Sequence, residues 1–366
     1  MSEPELRMLP TSRPDLDDLV PYGAPQLDVA VRLNVNESPY PPPPAVMEDM
    51  ARRIGGLALN RYPDRDFRAV REALARHAGT LTERIWVANG SNEIIQQLTL
   101  AFGGAERRAM TFEPTYEMHT LITRASGTRL IRARRAPDYT MDIGASVEAI
   151  RRTQPDIIFL CSPNNPTGTP IPDEGVAAIC AASHGLVILD EAYAEFGHGS
   201  VLNRQGNLLD EFENLVSTRT FSKAFRMAGA RIGYMVAPPA VIEAVMKVRL
   251  PYHLSSLTQV AALTALDHAA ELEATVETIR HERERLWAEL STTRGITAYP
   301  SAANFILFRC DVVPGRKVWN RLKDKGVLVR DFSDTVGCES CLRVSVGTAE
   351  QDERFLEALS QALRDE

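Results

Sequence analysis

Five lysines occur in the 366 residues, and one stands apart from the others. Lys223 lies in Thr220-Phe221-Ser222-Lys223-Ala224-Phe225, shortly after the apolar pair Leu215-Val216 and among hydroxyls and aromatics. Lys247, Lys317, Lys323 and Lys325 fall in helical stretches with charged neighbours, the pattern of a solvated face. A second apolar run, Leu186-Val187-Ile188-Leu189, ends in Asp190-Glu191-Ala192-Tyr193. A carboxylate in that setting needs a strong partner, and a pyridinium N–H is one. A lysine and an aspartate at the ends of two buried strands suit a Schiff base and an acid that keeps a ring nitrogen protonated. That pair is what pyridoxal phosphate chemistry asks of a protein. Plainer readings exist for each: a strand-end ion pair for Lys223, and a cap of the following segment for Asp190.

Other residues could complete such a site. Tyr193 could place its hydroxyl on the cofactor's phenolic oxygen, or be a half-buried core tyrosine. Asn165, in Ser162-Pro163-Asn164-Asn165-Pro166-Thr167-Gly168, could donate to the same oxygen, although a tight turn favours asparagine anyway. Gly90-Ser91-Asn92-Glu93 opens a helical pattern, whose free N–H groups and dipole attract phosphate. The alternative there is an ordinary N-cap by Ser91. Ser222 and Arg231, with Thr220 beside them, could finish the phosphate cradle. Tyr116, in Glu113-Pro114-Thr115-Tyr116, is placed to stack on a ring. Arg343 interrupts the apolar run Cys341–Val346. Its fork suits a substrate carboxylate, or an internal salt bridge.

These residues need elements to carry them. Strands are expected near 85–88, 109–112, 128–132, 157–161, 186–190, 215–220 and 232–237, with helical patterns between most of them. Such alternation predicts an α/β fold, a mostly parallel sheet sandwiched by helices, with ligands at the carboxyl ends of the strands. After Pro238 the texture changes: long helices over 239–250 and 256–293, short strands near 305–308, 327–329 and 342–346, and a last helix over 349–364. That is a smaller α+β unit. We expect a large domain over 31–245 and a small one from 246–366 plus an irregular arm, 1–30. Pro39 and Pro41-Pro42-Pro43-Pro44 read as an extended, rigid crossover.

Bulk composition narrows the classes. Hydrophobic content of 44% and charged content of 24% are those of a globular protein, and the length allows about two domains. A net charge of −7 argues against nucleic acid as a partner. No apolar run reaches the ~20 residues of a membrane span, and residues 1–14 lack a signal peptide's apolar core, so the cytoplasm is expected. Five scattered cysteines argue against a disulfide framework. Cys338 and Cys341 form a lone pair without the further ligands zinc requires, so no metal is expected.

In this order, and over nearly the whole chain, the motifs resemble those of the fold-type I aminotransferases, which depend on pyridoxal 5'-phosphate. Within them the chain is similar to the histidinol-phosphate branch. That likeness rests on Leu33-Asn34-Val35-Asn36-Glu37-Ser38-Pro39, Arg61-Tyr62-Pro63-Asp64 and residues 249–256 as well as the motifs above. The resemblance implies Lys223 as Schiff-base lysine and proton shuttle, Asp190 on the ring nitrogen, and Asn165 and Tyr193 on the phenolic oxygen. Ser91, Asn92, Ser222 and Arg231 would hold the phosphate. Tyr62 would reach into a neighbouring subunit's site, making a homodimer. Arg343 would bind the α-carboxylate of glutamate, and Tyr22 and Arg330 the phosphate of histidinol phosphate. The implied reaction is ping-pong transamination between histidinol phosphate and 2-oxoglutarate, in histidine biosynthesis. Arg226-Met227 and the loop 331–340 depart from the family pattern. The rivals are an aromatic amino acid aminotransferase, a decarboxylase of an amino-acid phosphate and, further off, a cofactor-binding regulatory domain.

Overall fold

The computed structural model describes residues 11–197, 199–201 and 207–364. Residues 1–10 of the expected arm lie outside them. The strands are β1 (Val31–Leu33), β2 (Ile85–Ala88), β3 (Arg108–Glu113), β4 (Arg129–Arg134), β5 (Ile157–Cys161), β6 (Leu186–Asp190), β7 (Leu215–Thr220), β8 (Gly233–Val236), β9 (Ile296–Ala298), β10 (Phe305–Cys310), β11 (Val327–Asp331) and β12 (Cys341–Ser345). They form a seven-stranded sheet in the order β2-β8-β7-β6-β5-β3-β4 and a five-stranded sheet in the order β1-β11-β12-β10-β9.

The large sheet is the α/β layer expected. Every residue of β5, β6 and β7 is buried, which is why these strands read as unbroken apolar runs rather than alternating ones. Each such Val, Ile or Leu contributes roughly 1.5–3 kcal/mol by leaving water. The helices Arg68–Ala78, Ser91–Phe102, Asp173–Ala182 and Pro239–Val248 pack their apolar faces on it. β7 also buries Ser217, Thr218 and Arg219, and each finds an acid: Glu191, Asp190 and Glu195 respectively. Only β8 runs against the others, pairing antiparallel with both β2 and β7. The carboxyl ends of β2, β5, β6 and β7 therefore open on the same side.

Several sequence expectations are corrected. β1 pairs in parallel with β11, so residues 31–33 join the small sheet rather than the large unit. Leu254, Ala261, Ala262, Ala265 and Leu272 pack in the large core, so that core reaches well past 245. The stretch 256–293 is three helices, Ser256–Asp267, Ala269–Glu273 and Val276–Thr292. The first break falls at His268, whose ring is held by Glu271 at 2.8 Å and Asp49 at 3.3 Å, with non-helical backbone. The proline run is extended only to Pro43. Pro44 starts the helix Pro44–Gly55, where a missing N–H costs nothing.

Candidate active site

A cavity of about 320 Å³ lies at the carboxyl ends of the large-sheet strands, roofed by residues of the small sheet and the N-terminal segment. Of the residues singled out from sequence, all but Tyr62 and Arg330 line it.

Lys223 follows β7 by three residues, and its Nζ donates to the carbonyl of Val35 at 3.0 Å. Among the described residues no carboxylate pairs with it, so the strand-end ion pair is not what forms. Burial, then the Arg343 charge, brings its pKa down to about 7, with Glu37 opposing and Arg231 assisting. Near neutral pH a substantial share, about half, of this amine is therefore neutral and available as a base.

Asp190 ends β6, 2% exposed. Its Oδ1 accepts from the backbone N–H of Ala192 at 3.2 Å, a turn contact, while the helical turn Ala194–Phe196 that follows has no side-chain cap. Its Oδ2 faces Nε2 of His119 at 3.2 Å. His119 is wholly buried and stacks on Phe159, with ring centroids 4.9 Å apart. The two groups hold the carboxylate in one orientation on the cavity floor.

Tyr193 is buried, and its hydroxyl oxygen accepts from the side-chain amides of Asn36 at 3.0 Å and Asn165 at 3.3 Å. With two donors on the oxygen, the hydroxyl proton is free to point into the cavity. Asn165 in turn accepts from Nη1 of Arg343, and Nη2 of Arg343 donates to Asn34 O at 2.9 Å. Arg343 is 5% exposed and its Nε has no partner. Burial draws its pKa down to about 10. Among the described residues no acid pairs with this guanidinium, so the internal salt bridge is absent. A buried cation left unpaired costs several kcal/mol, which an anion in the cavity would offset.

At the opposite wall, Gly90 rather than Ser91 is the N-cap of the helix Ser91–Phe102, and no side chain caps it. Its first-turn N–H groups face the cavity beside Ser91 and Asn92. The Ser222 hydroxyl oxygen accepts from Arg231 Nη1 at 3.4 Å and from Thr220 Oγ1 at 3.0 Å. The corner is cut to admit a group. A Cβ on Gly90 would lie 2.7 Å from Arg231 Nη2, and one on Gly233 would lie 2.3 Å from Ser91 N. Tyr116 caps this side, donating to Asn92 Oδ1 at 3.3 Å and meeting Tyr22 edge-on at 6.4 Å. These hydroxyls, amides and a guanidinium fit a phosphate, and the carboxylate–histidine pair fits a protonated ring nitrogen.

A family model described as "Aminotransferase class I and II" matches residues 28–359. The chain belongs to this family. It is 48% identical over 363 residues to histidinol-phosphate aminotransferase of Frankia casuarinae, covering 96% of this chain and 90% of that one. The Thermobifida fusca protein of the same name is 47% identical, covering 96% and 95%. A crystal structure of histidinol-phosphate aminotransferase from Sinorhizobium meliloti in complex with pyridoxal-5'-phosphate superposes with a TM-score of 0.86, at 26% identity, covering 98% and 99%. Pyridoxal phosphate is the family's cofactor, and the cavity has the donor set for it.

Tyr62 and Arg330 sit elsewhere. Tyr62 is 80% exposed and stacks on Tyr252 at 4.5 Å. Arg330 donates to Gly23 O at 2.9 Å and lies over the ring of Tyr22, 5.5 Å from its centroid, so it borders the cavity through that tyrosine. The sequence reading missed His119, Asn34 and Asn36 as parts of the site. A lone histidine on an amphipathic helix carries no signal of its own. Asn34 and Asn36, flanking Val35, were legible only as part of a family motif. Arg226 ties the turn after Lys223 to the carbonyls of Leu272, Glu271 and Pro41. Cys338 and Cys341 are buried beside Tyr139, and no cluster of three or more metal-ligating side chains occurs among the described residues.

Proposed function

We propose that this chain transfers the amino group between histidinol phosphate and 2-oxoglutarate, giving imidazole-acetol phosphate and glutamate, in histidine biosynthesis. The observation that carries the reading is Arg343, a buried guanidinium without a counter-charge among the described residues, in one cavity with a lysine amine brought down to about 7. The choice of amino donor is supported by relatives at 46–48% identity over nearly the full chain.

Pyridoxal phosphate, when bound, supplies an electron sink that makes the donor's α-proton acidic. The chain's own residues do the rest. Lys223 is the covalent attachment point, and its freed neutral amine moves the proton. Asp190, fixed by His119, keeps the ring nitrogen charged. Tyr193 and Asn165 hold the phenolic oxygen, and Tyr116 stacks on the ring. Ser91, Asn92, Thr220, Ser222 and Arg231 hold the cofactor phosphate. Arg343 takes the carboxylate of glutamate as a fork, while Tyr22 and Arg330 take the phosphate of the other donor.

The exposed face of Tyr62, Tyr252 and Leu250, the last 74% exposed, is where a second copy of the chain docks, so that Tyr62 completes its partner's cavity. The five unpaired cysteines suit a reducing cytoplasm. No helix among the described residues is long and apolar enough to cross a membrane. The test is a donor panel with 2-oxoglutarate as acceptor. Histidinol phosphate should exceed histidinol, phenylalanine and tyrosine by at least about tenfold in kcat/KM, the size of one charge-assisted contact. Equal rates for phenylalanine would favour the aromatic reading instead.

A further inference from the structure

The segment Asn34-Val35-Asn36 is held from every side. Asn34 O accepts from Arg343 at 2.9 Å, and its side-chain amide donates to Pro25 O at 2.8 Å. Val35 O accepts from Lys223 at 3.0 Å. Asn36 N donates to Ser345 Oγ at 2.9 Å, Asn36 O accepts from Asn304 at 3.1 Å, and the backbone takes a left-handed turn there with φ of 56°. Glu37 leaves this clamp in a fixed direction and lines the cavity. Its side chain is the opposite case: it is solvent-exposed, and no donor among the described residues pairs with its carboxylate.

The charges around it sharpen the point. Among the described residues, the cavity is lined by the basic side chains Lys223, Arg231 and Arg343 and by two acids, Asp190 and Glu37. Asp190 is on the floor and engaged by His119. Glu37 stands free in a site otherwise suited to anions. A carboxylate there repels the side-chain carboxylate of glutamate. It loses water when a substrate covers it, and that loss is offset only by a substrate group that donates a hydrogen bond. Of the two amino donors in the proposed reaction, only histidinol phosphate carries such a group beyond its amine, the imidazole N–H.

We infer that Glu37 determines specificity by accepting the imidazole N–H of the amino donor, on a backbone clamped by Arg343, Ser345 and Asn304. This rests on the function proposed above.

The test compares kcat/KM for histidinol phosphate with that for its phenyl analogue, 2-amino-3-phenylpropyl phosphate, in the holoenzyme and in Glu37→Gln and Glu37→Ala. The imidazole-over-phenyl ratio should fall roughly tenfold in Glu37→Gln and up to about a hundredfold in Glu37→Ala, as for a charge-assisted bond. Because it is a ratio, a variant that is partly misfolded or has a retuned Lys223 does not mimic the effect. An unchanged ratio in Glu37→Ala overturns this inference alone. A wild-type enzyme that ignores histidinol phosphate overturns the proposed function and this inference together.

Discussion

At the scale of the residue, the proposed reaction takes its pH behaviour from Lys223. With the amine brought to about 7 by burial and by Arg343, the protonated form is useless as a base below that value. The first-order rate of the glutamate half-reaction should climb as pH rises through about 7 and level off above it. Removing the neighbouring charge in Arg343→Gln should move that limb to higher pH, read by stopped-flow absorbance. Lys223→Ala should lose more than about 10³-fold in turnover. Arg343→Lys keeps a charge but loses the fork, and should raise KM for glutamate about tenfold while cofactor binding holds. Asp190 and Arg343 were legible in sequence because a charged residue at the end of or inside an apolar run is costly, and Lys223 because the other four lysines lie in solvated helical patterns. His119 was not, since its role exists only once the fold brings helix Glu117–Ala125 close enough for its ring to meet Asp190 at the end of β6.

At the scale of the element, the fully buried strands β5, β6 and β7 were readable from their continuous apolar runs. The three-residue strands β1 and β9 were not, being too short for any period to show, and the reversed direction of β8 has no local signature. Yet β8 shapes the phosphate corner. Gly233 begins it, wedged against Gly90 and Ser91, and Gly233→Ala should weaken pyridoxal phosphate binding by about tenfold or more, measured by titration of the apoprotein. The helix Ala349–Arg364 offers a second test. Asp352 is wholly buried, accepts from Gly347 N at 2.9 Å, and is pushed up to about 7 by burial. The folded chain therefore keeps a proton that the unfolded chain releases near 3.8, so this group's contribution to stability is lost as pH rises through about 7. Asp352→Asn keeps the acceptor without the charge. Chemical denaturation should show the advantage of Asp352→Asn over wild type growing from pH ~4 to pH ~7, to on the order of 4 kcal/mol, and levelling off above that.

At the scale of the whole molecule, two sheets and an N-terminal segment meet over one cavity, and residues far apart in sequence become neighbours there: Asn34 with Arg343, Val35 with Lys223, Asn165 with Tyr193. The order of motifs along the chain was legible; their convergence came from the topology, in which β12 delivers Arg343 above the ends of β5 and β6. Tyr62 lies outside this convergence, stacked on Tyr252 and otherwise exposed, where the proposed second chain would dock. Tyr62→Ala should leave the proposed dimer intact in sedimentation while weakening substrate use, since one ring is a small part of such a face. All of this depends on a single covalent attachment. The purified protein, loaded with pyridoxal phosphate, reduced with borohydride, digested and sequenced by mass spectrometry, should carry the pyridoxyl group on Lys223; finding it on another lysine, or on none, would contradict the account.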